Sequence, residues 1–174
     1  MSEQANPTPE FAMLAEIHVQ MAELFLRHQE ALLDRDWPGA SSALARFREG
    51  LLLHMEHEEG LLLPLMARAG KVERWPARVY LGEHEKLRRL LARAATQLEA
   101  LPQATGRRDE NRALLALLDF ETTFKHLCEH HEQREEMALF PLLDQVSTIA
   151  ERRDRLAQIE ATWQAYLDRT SPTQ

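Results

Sequence analysis

Two stretches of the chain repeat one arrangement of ionisable residues. "HMEHEEGLLLPLM" (54–66) and "HEQREEMALFPLL" (131–143) each place a histidine, glutamates four and five residues on, and a proline ten residues on. Of the eight histidines, only His54 and His131 have a glutamate at the +4 position. On a helix, residues i and i+4 lie about 40° apart around the axis and about 6 Å apart along it. The imidazole and carboxylate of each pair can therefore converge on one metal ion. Both pairs also sit on apolar stripes, His54 with Leu51, Leu61 and Leu62, and His131 with Phe124, Leu127 and Ala138. A carboxylate buried there is costly unless something positive compensates it, and a cation is the natural compensation.

Two further histidines stand on apolar stripes of their own. His18 lies between Leu14, Met21 and Phe25, and His84 between Tyr80, Leu81, Leu87 and Leu91. His18, His54, Glu58, His84, His131 and Glu135 are thus the candidate metal ligands. Four imidazoles and two carboxylates exceed what a tetrahedral zinc site takes. They suit two metals that share bridging carboxylates, and mixed nitrogen and oxygen donors with vacant positions suit redox iron. His130 has a polar edge around it (His126, Arg134, Met137) and no glutamate at +4, so His131 is the ligand candidate of that adjacent pair. His28, near a helix end, is expected at the surface, His57 off the stripe, and Glu59 and Glu136 in solvent or behind the ligands.

These residues need helices to hold them. Leu, Ala, Glu and Arg dominate the 174 residues and only 6 are Gly, a mixture that favours helix. Thr8-Pro9-Glu10 starts a first helix with Thr8 as cap, and Asp36-Trp37-Pro38 a second, for which Gly70 is the expected C-terminal cap. Arg74-Trp75-Pro76 opens a third. Asp109 caps a long fourth that includes Phe120, Phe124, Leu127, His131, Glu135, Leu139 and Leu142, and Ser147 caps a fifth. Four long helices joined by short loops predict an all-α fold, an antiparallel up-down-up-down four-helix bundle with an extra C-terminal amphipathic helix. The expected organisation is an N-terminal tail over 1–9, the bundle over 10–146 and the additional helix over 147–168. That helix must cover the bundle or a partner, and a homodimer is one such arrangement.

The formal charge of −7 argues against a nucleic-acid partner. No apolar run is long enough to span a bilayer and no secretory leader is evident, so no membrane is expected and the cytoplasm is the simplest location. Cys128 is the single cysteine, so no intrachain disulfide and no thiolate zinc site can form; it reads as a small core residue. No glutamate has a histidine three residues later, which separates the chain from the ferritin-like di-iron bundles.

With these motifs the sequence resembles the hemerythrin-like (HHE cation-binding) domain family. The residues that carry the resemblance are His18, His54 with Glu58, Glu59 and Pro64, the run from Glu83 to Arg88 around His84, and His131 with Glu135, Glu136 and Pro141, within about residues 10–145. The resemblance implies a bundle around two non-heme iron ions, with His18, His54, His84 and His131 as terminal ligands and Glu58 and Glu135 as bridges. Oxygen-carrying members pair a fifth histidine with the one on helix three. Here Tyr80 and Arg88 flank His84 at one turn, so the site is similar to the four-His branch linked to iron–sulfur cluster repair and to nitric oxide or peroxide stress. Tyr80 is then either a core aromatic or a hydroxyl beside an open iron position. The expected activity is binding of, or reaction with, O2, NO or peroxide. The alternatives are an iron- or oxygen-sensing or storage module that acts through a partner, and a metal-free structural interaction domain.

Overall fold

The computed structural model describes residues 8–72 and 74–170, and all regular structure among them is helical. A 3-10 turn, Phe11–Leu14, leads into α1 (Ala15–Leu33). Then come α2 (Trp37–His57), α3 (Ala77–Ala100), α4 (Arg107–Arg134), α5 (Phe140–Val146) and α6 (Ile149–Thr170). α1 packs along α2 and α3 along α4, and the pairs meet through α2–α3 and α1–α4 contacts. Among the described residues no helix is long and apolar enough to cross a membrane.

Each helix faces inward because its apolar residues recur at helical spacing. Met21, Phe25 and Leu32 of α1 are buried, as are Phe47, Leu51 and Met55 of α2, Leu87 and Leu91 of α3, and Leu117 and Phe124 of α4. Each such side chain stabilises the fold by roughly 1.5–3 kcal/mol relative to exposure. Leu81 departs from the expected stripe of α3 and lies 45 % exposed.

The helix ends show where local signals hold. Asp36 caps α2 by accepting from the Gly39 N–H at 2.9 Å, and Gly70 ends a 3-10 stretch, Leu63–Ala69, at φ 71°. Thr8 does not cap the first helix. Instead the Phe11 N–H donates to Asp144 of α5 at 3.2 Å, because Phe11 is drawn fully into the core. α4 begins at Arg107, so Asp109 lies within the first turn, where its charge complements the helix dipole. α6 is capped by Thr148 rather than Ser147. The Glu151 N–H donates to Thr148 Oγ1 at 3.2 Å and the Thr148 N–H to Glu151 Oε2 at 2.8 Å, a reciprocal capping box.

α6 lies against α2 and the first turn of the chain, so its apolar face is covered within the molecule. Ile159, Trp163 and Tyr166 are buried, while Ile149, expected on the same face, is 51 % exposed. Tyr166 Oη donates to the Arg46 carbonyl at 2.7 Å and Trp163 Nε1 to Gln20 at 2.6 Å. The approach of Tyr166 requires Gly50, where a Cβ would lie 2.9 Å from Oη.

Candidate metal centre

The helices that carry the two repeated motifs do not run through them regularly. α2 widens into a π turn over Glu58–Leu62, and α4 into another over Glu135–Leu139. In each, the first residue is the glutamate of the motif. The Leu63 N–H reaches back five residues to the Glu58 carbonyl and the Phe140 N–H to the Glu135 carbonyl. The next residue in each case is a proline, Pro64 or Pro141, which has no N–H to give and disfavours a regular α turn before it. The proline at +10 thus marks a backbone widening beside the candidate ligand, a place where such turns often serve function. This is why the long fourth helix, expected from sequence to include Leu142, is divided into α4, a π turn and α5.

All six candidate ligands come together. Oxygen and nitrogen atoms of Glu58, His84, His131 and Glu135 lie within 4.8 Å of one another, and so do those of His18, His54 and Glu135. His18 Nε2 faces His54 Nε2 at 3.3 Å, and His84 Nε2 faces His131 Nε2 at 3.1 Å. Glu58 reaches both pairs, with Oε1 2.6 Å from His54 Nε2 and Oε2 2.9 Å from His84 Nε2. Glu135 does the same, with Oε2 3.1 Å from His18 Nε2 and Oε1 2.9 Å from His131 Nε2. All six side chains are buried, between 0 and 4 % exposed.

Three of the four imidazoles turn their other nitrogen outward to a carboxylate. Nδ1 lies 3.1 Å from Glu136 in His18, 2.8 Å from Glu59 in His84 and 3.0 Å from Glu83 in His131. A carboxylate only accepts, so each Nδ1 bears the hydrogen and a neutral ring presents its Nε2 lone pair inward. Facing lone pairs and two carboxylates require positive charge between them. Moreover, Glu58 Oε1 and both oxygens of Glu135 lack an aligned hydrogen bond despite their short distances to nitrogen. Donors that crowd together without pairing are arranged for a shared cation, and this set fits divalent metal ions.

Without metal, protons supply that charge. Burial by itself would lower the pKa of His54, but Glu58 and Glu135 outweigh it and raise it to about 10. His131 is likewise raised, because Glu135, Glu58 and Glu83 overcome its burial. Burial pushes Glu58 upward, yet His54, His131 and His84 hold it well below the usual carboxylate range. Burial and Glu58 both push Glu135 up, and His131 and His18 outweigh them.

The surrounding layer holds Glu59 and Tyr80, both considered from sequence, together with Glu83, Arg88 and Arg134, to which sequence reasoning gave no such role. Glu59 accepts from Arg88 at 2.8 Å as well as from His84, and Glu83 accepts from Arg134 as well as from His131. Arg134 in turn lies 5.5 Å from the ring centre of Trp75. Tyr80 is buried edge-on to His131, ring centroids 6.1 Å apart, and among the described residues its hydroxyl has no hydrogen-bond partner. His130 is exposed, on the outer side of α4. His28 is not at the surface. It is fully buried, with Nδ1 2.8 Å from the Ala40 carbonyl and Nε2 2.7 Å from Glu121. Its register with His18, Met21, Phe25 and Leu32 was the signal. His57 is buried under α6 with Nε2 2.7 Å from Thr162 Oγ1, where burial lowers its pKa to about 4.

A bundle-forming set of helices around a buried four-histidine, two-carboxylate cluster defines a cation-binding helical domain. The family description of the hemerythrin HHE cation-binding domain matches residues 10–120 and again 76–171, and the chain belongs to this family. No curated protein and no solved structure gives a match.

Proposed function

We propose that the chain binds two non-heme iron ions inside an antiparallel up-down-up-down bundle, and that it binds or reacts with a small oxidant: dioxygen, nitric oxide or peroxide. The observation that supports this most is the reach of Glu58 and Glu135 to both histidine pairs. His18 and His54 would hold one ion and His84 and His131 the other, with Glu58 and Glu135 within reach of both pairs. The three-residue connection from α1 to α2, residues 34–36, favours antiparallel neighbours.

Bound iron supplies electrons and open coordination positions. The chain supplies the rest. Outward donation from His18, His84 and His131 fixes each ring with Nε2 inward. Leu62, Leu139 and Phe140, each at most 1 % exposed, keep bulk water away. The Tyr80 hydroxyl, without a partner among the described residues, can donate a hydrogen bond to a small ligand.

The test is anaerobic reconstitution with Fe(II), followed by elemental analysis and optical spectroscopy during exposure to each oxidant. Two irons per chain and a spectral response to at least one oxidant are expected. One iron or none would overturn the two-metal reading. Two irons that respond to no oxidant would overturn the reactive one.

A further inference from the structure

A gap opens between α1 and α4, one helical turn from the metal cluster. Its volume is about 430 Å³. Met21, Leu51 and Cys128 border it, and each is three residues from a candidate ligand: His18, His54 and His131 respectively. Deeper by another turn, Phe25, Phe47 and Phe124 form an aromatic floor with ring centroids 4.8 to 5.8 Å apart. Val19 and Leu26 stand at the rim, 63 and 46 % exposed. Such a volume is far larger than a diatomic gas needs and falls within the range of small organic ligands.

The polar groups on the wall favour one kind of head group. Glu23, Glu129 and Glu132 oppose the single cation Lys125. Glu23 is engaged by Arg27 at 3.1 Å and Glu129 by His126 at 3.1 Å. Lys125 leans toward Gln29 at 3.5 Å. Among the described residues Glu132 makes no hydrogen bond or ion pair, so a carboxyl acceptor without a partner among them stands on the wall one residue from His131. An anionic head would meet three carboxylates there; a donor head meets an acceptor.

We propose that this gap is a binding site for a compact aryl-alkyl amine, with its ring on the Phe25–Phe47–Phe124 floor and its amine toward Glu132. The site is distinct from the metal positions, and its occupancy is measured separately from iron content. The probes are 4-phenylbutylamine and 4-phenylbutyrate, which share an apolar body and differ in head group. Calorimetric titration of the iron-reconstituted chain should show one amine per chain, bound at least tenfold more tightly than the acid. Ala22→Trp and, independently, Leu26→Trp place an indole at the rim. Each should weaken amine binding at least tenfold without change in iron content, with circular dichroism confirming the helical fold. Failure of both probes to bind, equal binding of the two, or unchanged binding in every folded variant would overturn the proposal. So would concentration-dependent dimerisation abolished by a rim substitution, which would assign the face to a second copy of the chain.

Discussion

The two halves of the cluster use the same kinds of donor but are held by unequal surroundings. Behind His84 and His131 stand Glu59 and Glu83, and each of these carboxylates is itself engaged by an arginine, Arg88 or Arg134. Behind His18 stands Glu136, 47 % exposed and without an arginine partner among the described residues. The His18 ring instead lies roughly parallel to Phe140, 6.2 Å between centroids and 18° between planes. One half is therefore oriented by charge-assisted hydrogen bonds, the other chiefly by packing. Outer partners that fix a ring also raise its basicity as a ligand. The difference teaches that a site nearly symmetric in its ligands need not be symmetric in affinity: the His84–His131 half should fill first and release last.

The largest effect should come from removing what the halves share. Glu135→Ala takes an acceptor from His18 and from His131 at once. Iron content after reconstitution should fall from two per chain to less than one. The metal-free variant should also lose stability, by about 3–5 kcal/mol, because it strands protonated imidazoles in a buried site. Chemical denaturation and elemental analysis read the two effects separately. Iron content that stays at two would show that the halves do not depend on this carboxylate.

Next come substitutions that act on one half. Glu83→Gln keeps the shape but weakens the hold on His131 and releases Arg134. Metal affinity of the tighter phase should fall about 10–100-fold. Glu136→Gln, at the more exposed position, should change the weaker phase by less than about threefold, since exposed charge pairs are screened. Stepwise titration of the metal-free chain with Fe(II) resolves the phases. A larger loss from Glu136→Gln than from Glu83→Gln would reverse the order proposed for the two halves.

Protons probe the same comparison more gently. In the metal-free chain the pKa of His54 is raised from 6.5 to about 10, and that of His131 is raised too. A group whose folded pKa is raised stabilises the fold fully below its unfolded value. That contribution declines as pH rises through the folded value. The metal-free chain should thus lose stability between about pH 6.5 and 10, whereas metal uptake, which must expel those protons, should tighten over the same interval. Calorimetry in buffers of different ionisation enthalpy counts the protons released, and at least one per chain is expected at pH 7. Release of none would mean the imidazoles are already neutral.

Much of this arrangement was legible in the sequence, for a definite reason. Candidate ligands that share a helix face obey spacing, so His54 with Glu58, His131 with Glu135, and the single stripe histidines His18 and His84 could be read from periodicity. The caps at Asp36 and Gly70 are local and were legible as well. For the outer layer, Glu59 and Glu136 could be placed only in solvent or behind the candidate ligands, and which ring each carboxylate serves was not legible. Glu59 serves His84 across 25 positions of sequence and Glu83 serves His131 across 48, so those contacts exist only once α2, α3 and α4 are placed side by side. The π turns were half visible. Pro64 and Pro141 signal that the regular ladder must fail, but not that the preceding residue bonds back to the ligand glutamate. His28 was misplaced at the surface because its nearness to a helix end was given more weight than its register. His57 is buried by α6, which spacing within α2 alone does not reveal.

The smallest effect expected is from Tyr80→Phe. The ring lies edge-on to His131, in the half held by arginine-backed carboxylates, and the substitution keeps that packing. The hydroxyl has no partner to lose among the described residues, so stability should change by less than about 1 kcal/mol. Burial, reinforced by the negative charge of Glu135, pushes the phenol up to about 12 in the metal-free chain. A phenol held that firmly protonated favours hydrogen-bond donation over ligation as a phenolate. The oxidised wild-type protein should therefore lack the purple or blue colour of a phenolate–iron(III) bond, and Tyr80→Phe should leave iron content and ground-state spectrum unchanged. What should change is the dissociation rate of a bound oxidant, faster by about two- to tenfold for the loss of one hydrogen bond. Stopped-flow displacement of nitric oxide measures it. A visible charge-transfer band that vanishes in the variant would make Tyr80 a ligand of the better-held half. An unchanged rate would reduce it to packing.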